Sequence, residues 1–306
     1  MKLTGFYFSI FFGLFAYSTN SSAENNWPLG LVNECNSPES DWIWCDDFEI
    51  DRSSDYFEGK TDRQPSLGVN SSVAAAFHFK KNSQGAGGIQ IAFGRTPSDY
   101  IRAVDDGTKN YRDVYWRMFL YIPKNWVGYG SDKLSRATIL SGSDWSQAMI
   151  AHVWRGSGNQ SSLLLIDPAS GTDPAGNLIT TGYNDFTNLR WLGYKPGLSP
   201  IMAAESFGKW HCIEAHAKLN DPGKNNGIFQ LFINNNLEVE TTTLNWIGSY
   251  SDYGINAVFF ENYWNNGSPV DQTRYFDNLV ISTKPIGCGT TQLAPMPPTD
   301  LKVTTH

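Results

Sequence analysis

The sequence predicts an all-β sandwich or jelly roll, on three observations. Helical periodicity is scarce, short segments of alternating hydrophobicity recur, and clusters of Gly, Pro, Asn and Asp separate these segments. The missing helical pattern excludes a barrel of alternating strands and helices, and the lack of a fixed-period repeat disfavours a propeller. We therefore expect a single two-sheet domain over residues 24–288.

Seven segments carry the strand pattern, namely 114–121, 149–154, 163–166 (ending at Asp167-Pro168), 210–219, 228–233, 255–263 and 275–282. Side chains alternate between the two faces of a strand, so Tyr115, Arg117 and Tyr121 share one face while apolar residues form the other. Glu214 and His216 share the polar face of segment 210–219. The apolar faces are expected to form the core, and the polar faces a groove or the solvent-exposed surface.

The composition limits the classes of partner. The chain has 306 residues, of which 41% are hydrophobic and 14% aromatic, so it can bury a core and is not a disordered chain. The net charge of −7 argues against a nucleic-acid partner, which would require a basic face. The 11 Trp and 14 Tyr exceed the needs of an ordinary core, and such rings also stack on sugars. We expect a monomer that binds a polysaccharide.

The chain ends predict export. Lys2 precedes an apolar run over 5–17, and Ser21-Ser22-Ala23 offers a small-residue cleavage site. Residues 1–23 are therefore predicted to be a signal peptide, which gives a secreted or periplasmic protein. No later stretch is long and apolar enough for a membrane anchor. Residues 289–306 are predicted to be a Pro- and Thr-rich tail.

The four cysteines of the mature chain predict disulfides, since an even number is typical of exported proteins. Four cysteines allow three connectivities, of which we favour Cys35–Cys45 and Cys212–Cys288. Their spacing fits no zinc site.

Five short motifs follow one another in a familiar order, at 44–49, 115–123, 133–136, 208–214 and 275–282. This order resembles that of secreted concanavalin A-like jelly rolls of the polysaccharide-lyase type, which include alginate and glucuronan lyases. The resemblance covers most of residues 24–288. It implies a concave sheet that binds a polysaccharide and β-elimination next to a uronate.

The resemblance is specific at one further element. Lys133-Leu134 resembles a strand that carries a functional lysine in one group of alginate lyases, although Ser135 stands where that group usually has proline. The Arg-x-Glu-Leu and Gln-Ile-His motifs of another alginate-lyase group are absent, so the mechanism of that group is not carried over.

β-Elimination next to a uronate requires a cation for the carboxylate, a base for the C5 proton and an acid for the departing O4. The candidate catalytic residues are the cations Arg117, Lys133 and Arg136, the bases His152 and His216, and the acids Tyr121 and Tyr263. The candidate substrate-binding residues are Tyr115, Trp154, Glu214 and Glu261.

The charge distribution favours an anionic polysaccharide. Residues 95–155 contain nine Lys or Arg and six Asp, a local charge of +3, which leaves −10 for the rest of the chain. A basic segment in an acidic protein suits an anionic ligand.

Two other functions remain open. A non-catalytic, lectin-like carbohydrate-binding domain would use the same aromatic residues without chemistry. A glycoside hydrolase would need two carboxylates about 5–9 Å apart. Glu214 and Glu261 could form such a pair across strands.

The first and last strands are rich in carboxylates, at Asp47, Glu49 and Asp277, and jelly rolls of this kind often hold a structural Ca²⁺ there. Capping of backbone groups is the alternative role. Nothing in the sequence points to an organic cofactor.

Overall fold

The computed structural model describes residues 27–128 and 132–289, which form two antiparallel sheets of eight strands each. The predicted all-β jelly-roll sandwich is confirmed. The predicted signal peptide and residues 290–306 of the predicted tail lie outside the described residues. Within the described ranges, no helix has the length and apolar character needed to cross a membrane.

The sixteen strands are β1 (Trp42–Asp46), β2 (Glu58–Lys60), β3 (Asp62–Gln64), β4 (Ala74–Phe79), β5 (Gly85–Ala92), β6 (Asp113–Tyr121), β7 (Asp132–Leu140), β8 (Gln147–Arg155), β9 (Leu164–Ser170), β10 (Arg190–Trp191), β11 (Lys195–Pro196), β12 (Trp210–Lys218), β13 (Gly227–Ile233), β14 (Asn236–Leu244), β15 (Ala257–Trp264) and β16 (Gln272–Ser282). The described residues also form six single-turn 3₁₀ helices. Two precede β1, at Leu29–Leu31 and Glu34–Asn36, and four lie between strands, at Ser53–Asp55, Val69–Ser71, Gly158–Gln160 and Ala204–Ser206.

The strands pair into two sheets. Sheet I has the order β14-β13-β12-β6-β16-β4-β3, and β1 also pairs with β16. Sheet II has the order β10-β9-β8-β7-β15-β5-β2, and β11 also pairs with β9. The first and last strands, β1 and β16, are thus neighbours.

The core lies between the sheets and takes alternate residues from each strand. Trp116 and Ile213 from sheet I pack in one buried cluster with Val153 and Phe260 from sheet II. This confirms the predicted core faces of segments 114–121 and 210–219. The polar faces of the strands point away from the core, and we call these the outer faces.

The strand predicted over 163–166 does not end at Asp167-Pro168, because β9 continues to Ser170. The Pro168 carbonyl accepts a hydrogen bond from the Leu192 N–H at 2.9 Å, on the side of the two-residue strand β10. The nitrogen and the carbonyl of a strand residue point to the same side of the strand. The N–H that Pro168 lacks would therefore point towards β10, which pairs over only two residues, so few ladder hydrogen bonds are lost.

The outer face of sheet I is covered by the segments at both ends of the described chain. Buried Arg117 forms an ion pair with Glu34 and donates to the carbonyls of Asn278 and Gly287 at 3.1–3.2 Å. Glu214 accepts the backbone N–H groups of residues 286 and 287 at 2.9 and 2.8 Å. Arg117 and Glu214 therefore hold backbone in place on this face.

Both predicted disulfides, Cys35–Cys45 and Cys212–Cys288, are present. The first joins the N-terminal segment to β1, and the second joins β12 to the C-terminal segment. Each bond attaches a terminal segment to the outer face of sheet I.

The carboxylates proposed for Ca²⁺ cap backbone groups. Asp47, Glu49 and Asp277 accept hydrogen bonds at 2.7–3.0 Å from the N–H groups of Cys35, Val73 and Val69, respectively. Burial raises the pKa of Asp277 well above its ordinary value. Among residues 27–128 and 132–289, no group of three His, Cys, Asp or Glu side chains is arranged to hold a metal ion. Calcium binding thus stays a prediction that these contacts do not support.

The two disulfides should differ in their contribution to stability. Their sequence separations are 10 and 76 residues, and the chain-entropy argument assigns the longer loop about 2 kcal/mol more of stabilisation. We expect the Cys212→Ser/Cys288→Ser variant to unfold at lower urea concentration than the Cys35→Ser/Cys45→Ser variant. Equal midpoints, or the reverse order, would contradict this entropic account.

Candidate active site on the outer face of sheet II

The predicted site residues divide between the two outer faces. Lys133, Arg136, His152, Trp154, Glu261 and Tyr263 lie on strands β7, β8 and β15 of sheet II. Tyr115, Arg117, Tyr121, Glu214 and His216 lie on strands β6 and β12 of sheet I. The apolar core separates the two sets, so the expectation of one common site is not met. The sheet II set remains together.

Register brings the sheet II set into contact. Strand β7 lies between β8 and β15, and Lys133 is opposite Trp154 on one side and Tyr263 on the other. Arg136 is opposite His152 in the same way. Two adjacent rows of side chains therefore cross the middle of the sheet.

Arg136 is completely buried and joins the sheet to the loop that follows β9. Its guanidinium donates to Glu261 Oε1 at 2.8 Å and to Asn184 Oδ1 at 2.7 Å, and it also donates to the Tyr183 hydroxyl. The ion pair with Glu261 neutralises its charge. Arg136 thus positions the loop and Glu261 at the surface.

Lys133 is surrounded by aromatic rings. Its Nζ lies 4.9 Å from the ring centre of Tyr263, 5.3 Å from that of Phe186 and 5.6 Å from that of Trp154. Within the described part of the chain, no carboxylate comes within salt-bridge distance of this ammonium. Burial lowers its pKa, partly offset by nearby Glu261. Lys133 is therefore a cation without a paired anion.

His152 is held as a neutral imidazole. Its Nδ1 lies 3.0 Å from the carbonyl of Asp167, which can only accept, so Nδ1 carries the proton and Nε2 keeps its lone pair. Burial, with Arg136 next, lowers the pKa of His152 well below 6.5. Nε2 is buried beside the rings of Trp154 and Trp191 and has no hydrogen-bond partner among the described residues.

Tyr263 is a half-buried phenol in the row of Lys133. Its hydroxyl lies 2.8 Å from Gln84 Oε1, an acceptor, so the phenol is the donor and is protonated at rest. A cation, a neutral base with a free lone pair and a proton donor thus lie on three adjacent strands.

Sequence reasoning missed four residues of this face, which are Tyr183, Asn184 and Phe186 in the loop after β9 and Trp191 on β10. The three aromatic side chains are exposed despite their size. In the sequence, the loop residues lie in a turn-rich segment, 181–188, that contains aromatic residues. A search for strand periodicity does not detect such a segment.

The sheet I set serves packing and local hydrogen bonding. The His216 ring stacks flat on Tyr115, with ring centres 3.9 Å apart. Its Nδ1 lies 2.7 Å from Gln230 Oε1, and its Nε2 lies 2.7 Å from Asp113 Oδ1. Tyr121 packs against neighbouring aromatic rings of its sheet. Glu214 lies on a different sheet from Glu261, so the proposed carboxylate pair for hydrolysis does not form.

The cations of the basic segment over 95–155 that were candidates for the site divide between the two sheets. Arg117 lies on sheet I, and Arg155 is buried 3.7 Å from Asp132. Of the charges considered for the site, Lys133 and Arg136 reach the outer face of sheet II.

The state of His152 can be measured directly. Because burial disfavours the imidazolium, we expect the His152 ring signals in a nuclear magnetic resonance titration to stay those of a neutral imidazole as the pH falls through 6.5. The His152→Gln variant assigns these signals. A midpoint at or above 6.5 would contradict the neutral form.

No family model matches the sequence, and no curated protein matches it. Among the solved structures that are similar in fold are three polysaccharide lyases. They are the alginate lyase vAL-1 from Chlorella virus (TM-score 0.51, 13% identity, covering 74% of this chain and 90% of that one), the endo-β-1,4-glucuronan lyase from the fungus Trichoderma reesei (0.50, 12%, 79% and 91%) and the marine PL-14 alginate lyase from Aplysia kurodai (0.55, 12%, 79% and 99%). The chain therefore has the jelly-roll fold of these polysaccharide lyases.

Proposed function

We propose that the chain is a polysaccharide lyase that cleaves a uronate-containing polysaccharide by β-elimination on the outer face of sheet II. The observation that carries this proposal is the convergence of Lys133, His152 and Tyr263 from three adjacent strands. Their states match the three requirements of the reaction, which are a cation, a base and an acid. The similarity of fold to alginate and glucuronan lyases supports it.

Lys133 would bind the uronate carboxylate. Its ammonium has no anion to displace, and the surrounding rings exclude water, which strengthens the attraction. Neutralising the carboxylate makes the C5 proton more acidic and stabilises the charge that develops there in the transition state.

His152 would take the C5 proton on Nε2. As the C5–H bond breaks, the C4=C5 double bond forms and the C4–O4 bond breaks. Tyr263 would donate its phenolic proton to O4, and the two residues then exchange protons with solvent. Because Trp154 and Trp191 pack against His152, substrate must move a ring to reach Nε2, and Trp191 lies on the short edge strand β10.

We further propose that the protein acts outside the cytoplasm as a monomer. Two disulfides are typical of oxidising compartments, where extracellular polysaccharides are also encountered. Mass determination of the secreted protein tests cleavage after residue 23 and the oligomeric state.

The reaction itself is tested with a panel of alginate, glucuronan and glycosaminoglycans. β-Elimination leaves a C4–C5 unsaturated uronate, so we expect ultraviolet absorbance to rise on at least one polymer. Binding without any rise would favour the lectin-like alternative, and release of reducing sugar without a rise would favour a hydrolase. Either result would reject the lyase proposal.

The assignment of the face is tested with matched variants on the two sheets. We expect Lys133→Ala, His152→Gln and Tyr263→Phe each to lower kcat/KM about 100-fold or more, as loss of a proton-transfer or charge-stabilising group does. Tyr121→Phe and His216→Gln, on sheet I, should stay within about threefold of the parent protein. Equal losses in both sets would overturn the choice of face.

The pH dependence follows from the lowered pKa of His152. A base works in its neutral form, and this form persists below the ordinary value of 6.5. We expect kcat/KM to be retained from pH 7 down past pH 6.5, with the acid limb lying lower. An acid limb centred at or above 6.5 would show that another group is the base.

A further inference from the structure

We propose that the substrate is a heteropolysaccharide in which an isolated uronate is flanked by neutral sugars, rather than an unbroken polyuronate. This inference rests on the proposed function and names the substrate class of that site. It follows from the numbers of cations and aromatic rings on the outer face of sheet II.

Cations without a paired anion are scarce on this face. The strands of sheet II contain six Lys and Arg residues, and the charge of Arg136 is already neutralised by Glu261. Lys133 is central and has no carboxylate partner within the described residues. The other four are Lys60 and Lys195 on edge strands, Arg190, which donates to the Thr172 carbonyl, and Arg155, which is buried beside Asp132.

Aromatic rings occupy the positions on both sides of Lys133 and Arg136. On one side, Tyr100 lies 6.3 Å from Trp145, which lies 5.3 Å from Tyr183. On the other side, Trp191 lies 6.1 Å from Trp154 and 6.0 Å from Phe186, measured between ring centres.

The exposure of these rings indicates that they meet a ligand. Tyr100 is 59% exposed, Trp191 is 43% exposed, and Tyr183 and Phe186 are each 40% exposed. Such a group of large exposed rings around one cation is more than scattered surface residues require.

Acidic groups add a second reason against neighbouring carboxylates. Glu261 Oε2 is buried without a hydrogen-bond partner among the described residues, and Asp167 lies on β9 directly beside His152. Asp167 would repel a second anionic sugar bound next to the first, whereas the charge of Glu261 is balanced by Arg136.

A polyuronate places one carboxylate on every sugar. With Lys133 as the one central unpaired cation among the described residues, the flanking carboxylates would lose water against aromatic faces, whose quadrupole is negative, without gaining a partner. A neutral sugar instead presents apolar C–H groups that stack on a ring. The face therefore suits one anionic sugar between neutral ones.

The test uses a polyglucuronate and two derivatives in which half or nearly all carboxylates have been reduced to hydroxymethyl groups. Calorimetry measures binding, and ultraviolet absorbance measures elimination. We expect the half-reduced polymer to bind most tightly and to give the highest kcat/KM per remaining uronate. The polymer with nearly all carboxylates reduced should bind and give almost no product. Binding and turnover that fall steadily with carboxylate content would overturn the inference.

The two readouts separate this inference from the proposed function. If no polymer gives product but the half-reduced polymer still binds best, the recognition inference stands and the lyase proposal fails. If product forms and the unreduced polymer binds best, the lyase proposal stands and the inference fails.

A matched pair of variants tests the rings. We expect Trp191→Ala to weaken binding of the half-reduced polymer about tenfold, and Trp210→Ala, on the outer face of sheet I, to change it less than about twofold. Melting temperatures of both variants check folding. If both variants weaken binding equally, or if Trp191→Ala has no effect in a folded protein, the stacking argument is rejected.

Discussion

The apolar core between the two sheets decides which polar side chains can meet. Each strand gives alternate residues to this core, so most charged side chains lie on the outer face of their own sheet. Exceptions among the described residues are Arg274, Asp132 and Arg155, which are buried and pair with one another across the two sheets. Lys133, His152 and Tyr263 come together because β8, β7 and β15 are neighbours in one sheet. Arg117 and His216 have suitable chemistry but lie on the far side of about 10 Å of packed side chains.

The two outer faces then differ in what covers them. On sheet I, the chain's own terminal segments occupy the face, attached by two disulfides and by the hydrogen bonds of Arg117 and Glu214. On sheet II, exposed aromatic side chains surround a lysine with no paired anion. The terminal segments thus cover part of sheet I, and the outer face of sheet II is the one on which we propose that the ligand binds.

Arg136 and Lys133 show how two cations three positions apart take different roles. Burying Arg136 carries a large desolvation cost, which its ion pair with Glu261 and its bonds to Asn184 and Tyr183 offset. The result is a rigid connection between sheet and loop rather than a binding charge. Burial of Lys133 lowers the pKa of its ammonium, and among the described residues no ion pair takes up its charge. The centre of the described face is therefore left with one available cation, Lys133, near the neutral base His152 and the phenol of Tyr263.

The sequence by itself determined the fold class and the faces of the strands, because alternation and turn residues are local properties. It favoured the observed disulfide pairs among three possible connectivities, and the structure decided between them. The sequence also placed Arg117, Glu214 and His216 on polar faces. Only the tertiary structure decided which of these faces belong to the same sheet, because strand order depends on pairing between residues far apart in the chain. The same reason explains the missed loop. Tyr183 and Phe186 have no strand periodicity, and their proximity to Arg136 and Lys133 arises from a contact across about 50 residues.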